Sequence, residues 1–168
     1  MKKFIHAVEF DLKTNNWYAA LALSLTFPDV CGRLEAPDEA VGKRYVKWYD
    51  RFMLAKYSMN NGPHNHVFLS GQDCYLLRCT YLHEGGGSIV GKSKAVLDHF
   101  HFISPPGNNR TYHKIQRDKV LLLQVDVFCR DMVEGVKEWE RLTATDPDII
   151  LRKSELLKIH DASGSFSI

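Results

Sequence analysis

What the chain lacks narrows its possible roles first. Its four cysteines, at positions 31, 74, 79 and 129, form no C-x-x-C pair and no zinc-ribbon spacing. That pattern speaks against a disulfide scaffold or a thiolate metal site, and it predicts free, mostly buried thiols in a reducing, cytoplasmic setting. Long hydrophobic runs are missing as well. The longest, WYAALALSLTF at 17–27, contains Ser24 and Thr26 and is shorter than the ~20 residues that cross a bilayer, so no membrane association is expected. Charge of one sign is not in excess: 22 Lys and Arg face 20 Asp and Glu, for a net +2. A broad electrostatic grip on nucleic acid is thereby excluded, and any such contact has to be a local basic spot. Internal repeats and low-complexity tracts are absent too. Near the start, FIHAVEFDLK carries Glu9 and Asp11 in an amphipathic pattern, which predicts a helix rather than a signal peptide.

What is present fits one domain, 1–168: a chain of 168 residues with 45% apolar and 25% charged side chains can bury a core of its own. Phe4, Ala7, Val8 and Leu12 predict a helix over 3–12. Asn15 and Asn16 cap a second helix over 17–26, apolar nearly all round and therefore central, which Pro28 ends before CGRLEAP turns. A third, 38–54, opens at PDEA and turns Val41, Tyr45, Trp48, Tyr49 and Phe52 inward. SMNNGPHNH reads as a loop. A fourth helix begins at Ser70, has Asp73 in capping-box position, and stops at Gly85-Gly86-Gly87. Beyond residue 94 the period changes to two. VLDHFHFIS sets Phe100 and Phe102 against His99 and His101, and TYHKIQ and KVLLLQV flank a tight turn, predicting two or three antiparallel strands. A helix over 126–142 buries Phe128, Met132, Val136 and Trp139; a short one follows over 149–159, and the tail DASGSFSI reads as loose. The expected fold is mainly α: a helical bundle (about 3–90 and 125–160) with a small antiparallel β-hairpin insertion (about 95–124) after the fourth helix.

The chemistry concentrates in YLLRCTYLHEGGG, 75–87. Arg78 offers a planar fork of donors suited to a phosphate, and His83 can take or give a proton near neutral pH. Five residues on a helix turn through about 500°, which leaves the two side chains roughly 140° apart. The spacing therefore predicts that convergence needs a distorted helix end or a second copy of the helix. LLRCTYLHEG resembles the R-x4-H motif of the HEPN superfamily, small helical-bundle domains found in many ribonuclease toxins. The resemblance implies a homodimer in which two motif helices face each other, and RNA cleavage without metal or cofactor, with Arg78 and His83 as the catalytic pair.

Other constellations point elsewhere. RTYHKIQRDK supplies Arg110, Lys114, Arg117 and Lys119 as candidate RNA-phosphate contacts, or as the charged edge of a hairpin. His64/His66 and His99/His101, with His113 across the hairpin, offer imidazoles for a divalent ion, but nothing in the spacing brings the pairs together, so no metal is expected. Gly86-x4-Gly91-Lys92-Ser93 fits the bare phosphate-loop pattern, yet it follows a helix and precedes a strand, the reverse of what nucleotide hydrolysis requires; its amides could still hold an anion. The aromatics of YVKWYDRF offer an alternative: a non-enzymatic module that docks a protein partner, for example in a defence or toxin–antitoxin system.

Overall fold

A computed structural model of the chain describes residues 1–61, 64–108 and 110–160. Among these the order is α1 (Lys2–Lys13), α2 (Trp17–Glu35), α3 (Val41–Phe52), a 3₁₀ turn (Leu54–Tyr57), β1 (Ser58–Asn61), β2 (His64–Val67), α4 (Gly71–Glu84), β3 (His99–Ile103), β4 (Ile115–Arg117), β5 (Val120–Gln124), α5 (Val125–Leu142) and α6 (Pro147–Ser154). The fold is a mainly helical bundle with small β insertions. No helix among the described residues is long and apolar enough to cross a membrane. The tail read as loose, 161–168, lies outside the described residues.

Burial explains the centre of the bundle. α2 packs against α1, α3, α4, α5 and α6, as its all-round apolar sequence predicts. It does not stop at Pro28, however, but continues to Glu35. Proline inside a helix costs ~3 kcal/mol. Beyond it Cys31 and Leu34 are buried, and a fully buried leucine alone recovers ~1.5–3 kcal/mol, so tertiary packing overrides the local break. α3 corrects the other way. Asp38 and Glu39 precede the helix, because residues 36–39 close a turn (Glu39 N to Ala36 O, 3.2 Å). Glu39 then receives Arg44 on its carbonyl and Lys47 on its carboxylate. Likewise α6 starts earlier than expected, where Asp146 accepts from the amides of Asp148 and Ile149.

The β part is more elaborate than one antiparallel hairpin. SMNNGPHNH is not simply a loop: β1 and β2 pair antiparallel, Ser58 opposite Val67 and Asn61 opposite His64. After α4, β5 lies between β3 and β4. β4 and β5 form the expected hairpin, turning at Asp118 (φ 53°). β3, however, runs parallel to β5, His99 beside Val120 through Ile103 beside Gln124. The chain therefore crosses the C-terminal end of β5 between β3 and β4. Buried Gln124 fastens that crossing. Its Oε1 accepts from Tyr112 N (2.9 Å), its backbone N–H donates to His113 Nδ1 (3.2 Å), and its Nε2 donates to Asp126 Oδ1 (2.8 Å). No sequence period signals such a crossing. Along β3, Phe100 is buried and His99 and His101 are exposed, as the alternation predicts.

α4 is fixed at both ends. Ser70 Oγ accepts from Asp73 N (3.0 Å), the expected cap. The buried Asp73 carboxylate accepts from Ser70 Oγ (2.8 Å) and from the amides of Val96 (2.9 Å) and Leu97 (3.4 Å), tying the segment before β3 to the first turn of α4. At the other end Gly85 takes the left-handed conformation (φ 69°) and caps onto Tyr81 O, the usual role of a glycine just past a helix. At Gly87 a Cβ would lie 2.7 Å from Phe100 O, so the backbone comes too close to β3 for a side chain.

Asp73→Ala leaves the Ser70 hydroxyl, the part-buried Val96 amide and the buried Leu97 amide without their acceptor, so it should lower unfolding free energy by ~2–4 kcal/mol. Urea denaturation followed by circular dichroism measures this, and a loss under ~1 kcal/mol would contradict the role assigned to Asp73.

Candidate functional site

The last two turns of α4 carry Arg78 half-buried and His83 exposed. α2 lies alongside and places Asp29 against the arginine: Arg78 Nε is 2.7 Å from Asp29 Oδ2, with the side chains 21% and 14% exposed. The approach lies off the N–H direction, which makes the contact a close ion pair rather than an aligned hydrogen bond. Burial pushes the Asp29 carboxyl up, against the pull of Arg78 and Arg44. For Arg78 burial acts downward, but Asp29, Cys79 and Tyr45 outweigh it and hold the guanidinium above its ordinary value. The two shifts disagree: the first favours a neutral carboxyl, the second a charged partner for the guanidinium. The 2.7 Å geometry and the residual solvent exposure favour reading it as a charged pair of modest net worth.

The expected obstacle, side chains leaving the helix on different faces, does not hold in the structure. Arg78 Nη1 reaches within 3.5 Å of His83 Nε2 in the same chain. The 140° separation applies at the helix surface, whereas the long arginine stem spans the gap while Asp29 holds its Nε side. Arginine only donates, so in this contact the imidazole nitrogen accepts through its lone pair. Convergence of the two groups therefore needs no second copy of α4. Between them in the chain, Tyr81 Oη donates to the Tyr18 carbonyl (3.3 Å), tying this end of α4 to the first turn of α2, where Tyr18 is 79% exposed.

The other candidates are dispersed. β4, which carries Arg117, is at the opposite edge of its sheet from β3, the strand that the Gly87 segment meets, whereas the Lys119 carbonyl accepts from the amides of Asp98 and His99 at the start of β3. Lys114 Nζ donates to Lys56 O (3.0 Å), and Lys119 Nζ lies 3.9 Å from Asp98. Arg110 and Arg117 are exposed. His66 Nε2 meets Gln116 Oε1 (3.0 Å), and His113 is half-buried with Nδ1 accepting from Gln124. Burial lowers the His113 pKa. Among the described residues no group of three or more His, Cys, Asp or Glu is placed to hold a metal; the His64 side chain lies outside them. Lys92 of the G-K-S triplet pairs with Glu84 (3.1 Å). The aromatics of YVKWYDRF do not form an outward surface: Tyr45, Trp48 and Tyr49 are in the core and Phe52 is partly buried. All four cysteines are free, and burial pushes the Cys74 and Cys129 thiols up to about 12, which makes those two unreactive at neutral pH.

Asp29 is the site residue that motif spacing could not reveal. Its signal is a carboxylate within the apolar α2 sequence, one position after Pro28. No family model matches the chain, and no curated protein or solved structure is detectably similar to it.

Asp29→Ala leaves a half-buried guanidinium without its counter-charge, and a loss of ~1–3 kcal/mol is expected after allowance for the remaining solvent exposure. Asp29→Ala/Arg78→Ala should lose less than the sum of the single variants. Strict additivity in a double-mutant cycle would show that the pair contributes no coupling.

Proposed function

We propose that the chain is a HEPN-like, metal-independent endoribonuclease in which Arg78 clamps the scissile phosphate and His83 transfers the proton. The observation that carries this reading is the 3.5 Å approach of Arg78 Nη1 to His83 Nε2 at an accessible helix end; the likeness of LLRCTYLHEG to the R-x4-H motif supports it. An anion at the guanidinium also lies beside the imidazole. When the phosphate draws the Arg78 donors onto its own oxygens, the Nε2 lone pair is released from the guanidinium and takes the proton of a ribose 2′-OH. The 2′-oxygen then forms a bond to phosphorus as the bond to the 5′-oxygen breaks, and that oxygen leaves with a proton from water, giving a 2′,3′-cyclic phosphate. Arg78 stabilises the charge that grows on the phosphoryl oxygens. DNA, which has no 2′-OH, is spared. Arg110 and Arg117 are free to contact RNA farther along the strand.

The likeness further implies a homodimer with two motif helices in apposition, in which a second imidazole could protonate the leaving oxygen. Sedimentation equilibrium should then return twice the chain mass.

Labelled single-stranded RNA incubated with the protein and excess chelator should be cut, and its DNA counterpart left intact. Arg78→Ala and His83→Ala should each slow cleavage by ~10²-fold or more. Cleavage that persists in both variants, or that no RNA undergoes, would remove catalysis from this pair.

A further inference from the structure

A second basic feature lies away from the β4 hairpin. A cleft of about 470 Å³ is lined by Ala40, Gly42, Lys43, Val46, Lys47, Gln72 and Lys94, with three lysines and no carboxylate on its walls. Lys43 and Lys47 are four residues apart on α3 and so share one face. Lys94 comes from the segment between α4 and β3, and it stands in the left-handed conformation (φ 68°). Its position is not left to a free loop. Ala95 N donates to Lys92 O (3.2 Å), and Val96 and Leu97 donate to the Asp73 carboxylate beside Gln72. Lys47 is paired with Glu39 (2.5 Å), whereas Lys43 and Lys94 are exposed without an acidic partner among the described residues.

We propose that this cleft holds the phosphodiester backbone of single-stranded RNA, a contact surface separate from Arg78 and His83; the inference rests on the reading of the chain as an RNA-acting protein. Three points favour a nucleic-acid strand over an acidic protein. The cleft is open, lined by flexible point charges rather than by pockets for side chains, which suits repeated phosphates of variable position. It shares α4 with the candidate catalytic pair: Gln72 on its wall belongs to that helix, and the Tyr75 ring, one turn before Arg78, lies against Gly42. The axial distance from Gln72 to Arg78, six residues, is ~9 Å, within reach of a strand of a few nucleotides. Last, the chain as a whole is nearly neutral, so affinity for a polyanion has to come from a local concentration of cations, and this cleft supplies one.

The test uses the full chain and a fluorescein-labelled 2′-O-methyl RNA oligonucleotide, which binds as RNA does but cannot be cut through its 2′-oxygen. Anisotropy titrations at several salt concentrations give the slope of log K against log salt. Lys43→Gln/Lys94→Gln should weaken binding and flatten that slope by ~1.4, two phosphate contacts at ~0.7 each on a single strand. Lys13→Gln/Lys137→Gln, exposed lysines beside Glu9 and Glu134, should leave it unchanged. An unchanged slope in the Lys43/Lys94 variant, or wild-type protein that does not bind the oligonucleotide, overturns the proposal. The outcome is independent of cleavage: chelator-resistant cutting with no effect of these lysines removes the cleft alone, and lysine-dependent binding without cutting removes the ribonuclease reading alone.

Discussion

A single buried carboxylate sets the geometry on which the rest depends. Asp73 accepts from the hydroxyl of its own N-cap serine and from two amides of the segment that leads into β3. Charge-assisted bonds of this kind are shorter and stronger than neutral ones. They fix where α4 starts, and they fix where the chain lies after the three glycines have turned it back. Because Gly87 then meets Phe100 at backbone distance, the small sheet is held against the end of α4 instead of hanging from the bundle. α4 is thus clamped along its whole length, with its chemistry-bearing turns at one end and the lysine cleft at the other.

The second constraint is lateral. α2 runs through the middle of the bundle, and its continuation past Pro28 carries Asp29 along the flank of α4. Had the helix ended at the proline, no carboxylate would face Arg78 from that side, and the guanidinium would be an unpaired half-buried charge. The same continuation buries Cys31 and Leu34. Core packing and site geometry therefore follow from one event, the tolerance of a proline inside a helix surrounded by protein.

Much of this arrangement is legible in the amino-acid order, and the exceptions have physical causes. The α4 boundaries are readable because both ends use local chemistry: a serine cap, an acidic third position, and a left-handed glycine. The inward faces of α3 and α5 are readable because the aromatic and aliphatic residues repeat at helical spacing. Pro28 misleads because its cost is local while the compensation is tertiary. The parallel pairing of β3 with β5 is invisible because strand order depends on Gln124 and the crossing segment, which no period records. β1 and β2 escape notice because three of their eight residues are Asn, a poor strand former. At the site, the pair Arg78 and His83 stands out in sequence, but Asp29, 49 positions before the arginine, is brought in only by folding.

The pairing of Arg78 with Asp29 has two consequences that pull in opposite directions. It immobilises a side chain that otherwise loses ~2 kcal/mol of rotamer entropy on binding, so the donors that face outward are oriented in advance. It also cancels most of the charge that would draw an anion in from solvent. With the imidazole accepting from the guanidinium, Asp29, Arg78 and His83 together are close to neutral. A site built this way is suited to orienting a phosphate already delivered, and it has little power to attract one. Long-range attraction then has to arise from cations that are not neutralised by neighbours, and Lys43 and Lys94 meet that condition at the other end of the same helix. Orientation and capture would thus be divided between the two ends of α4, each relying on the Asp73 anchor to keep its distance from the other.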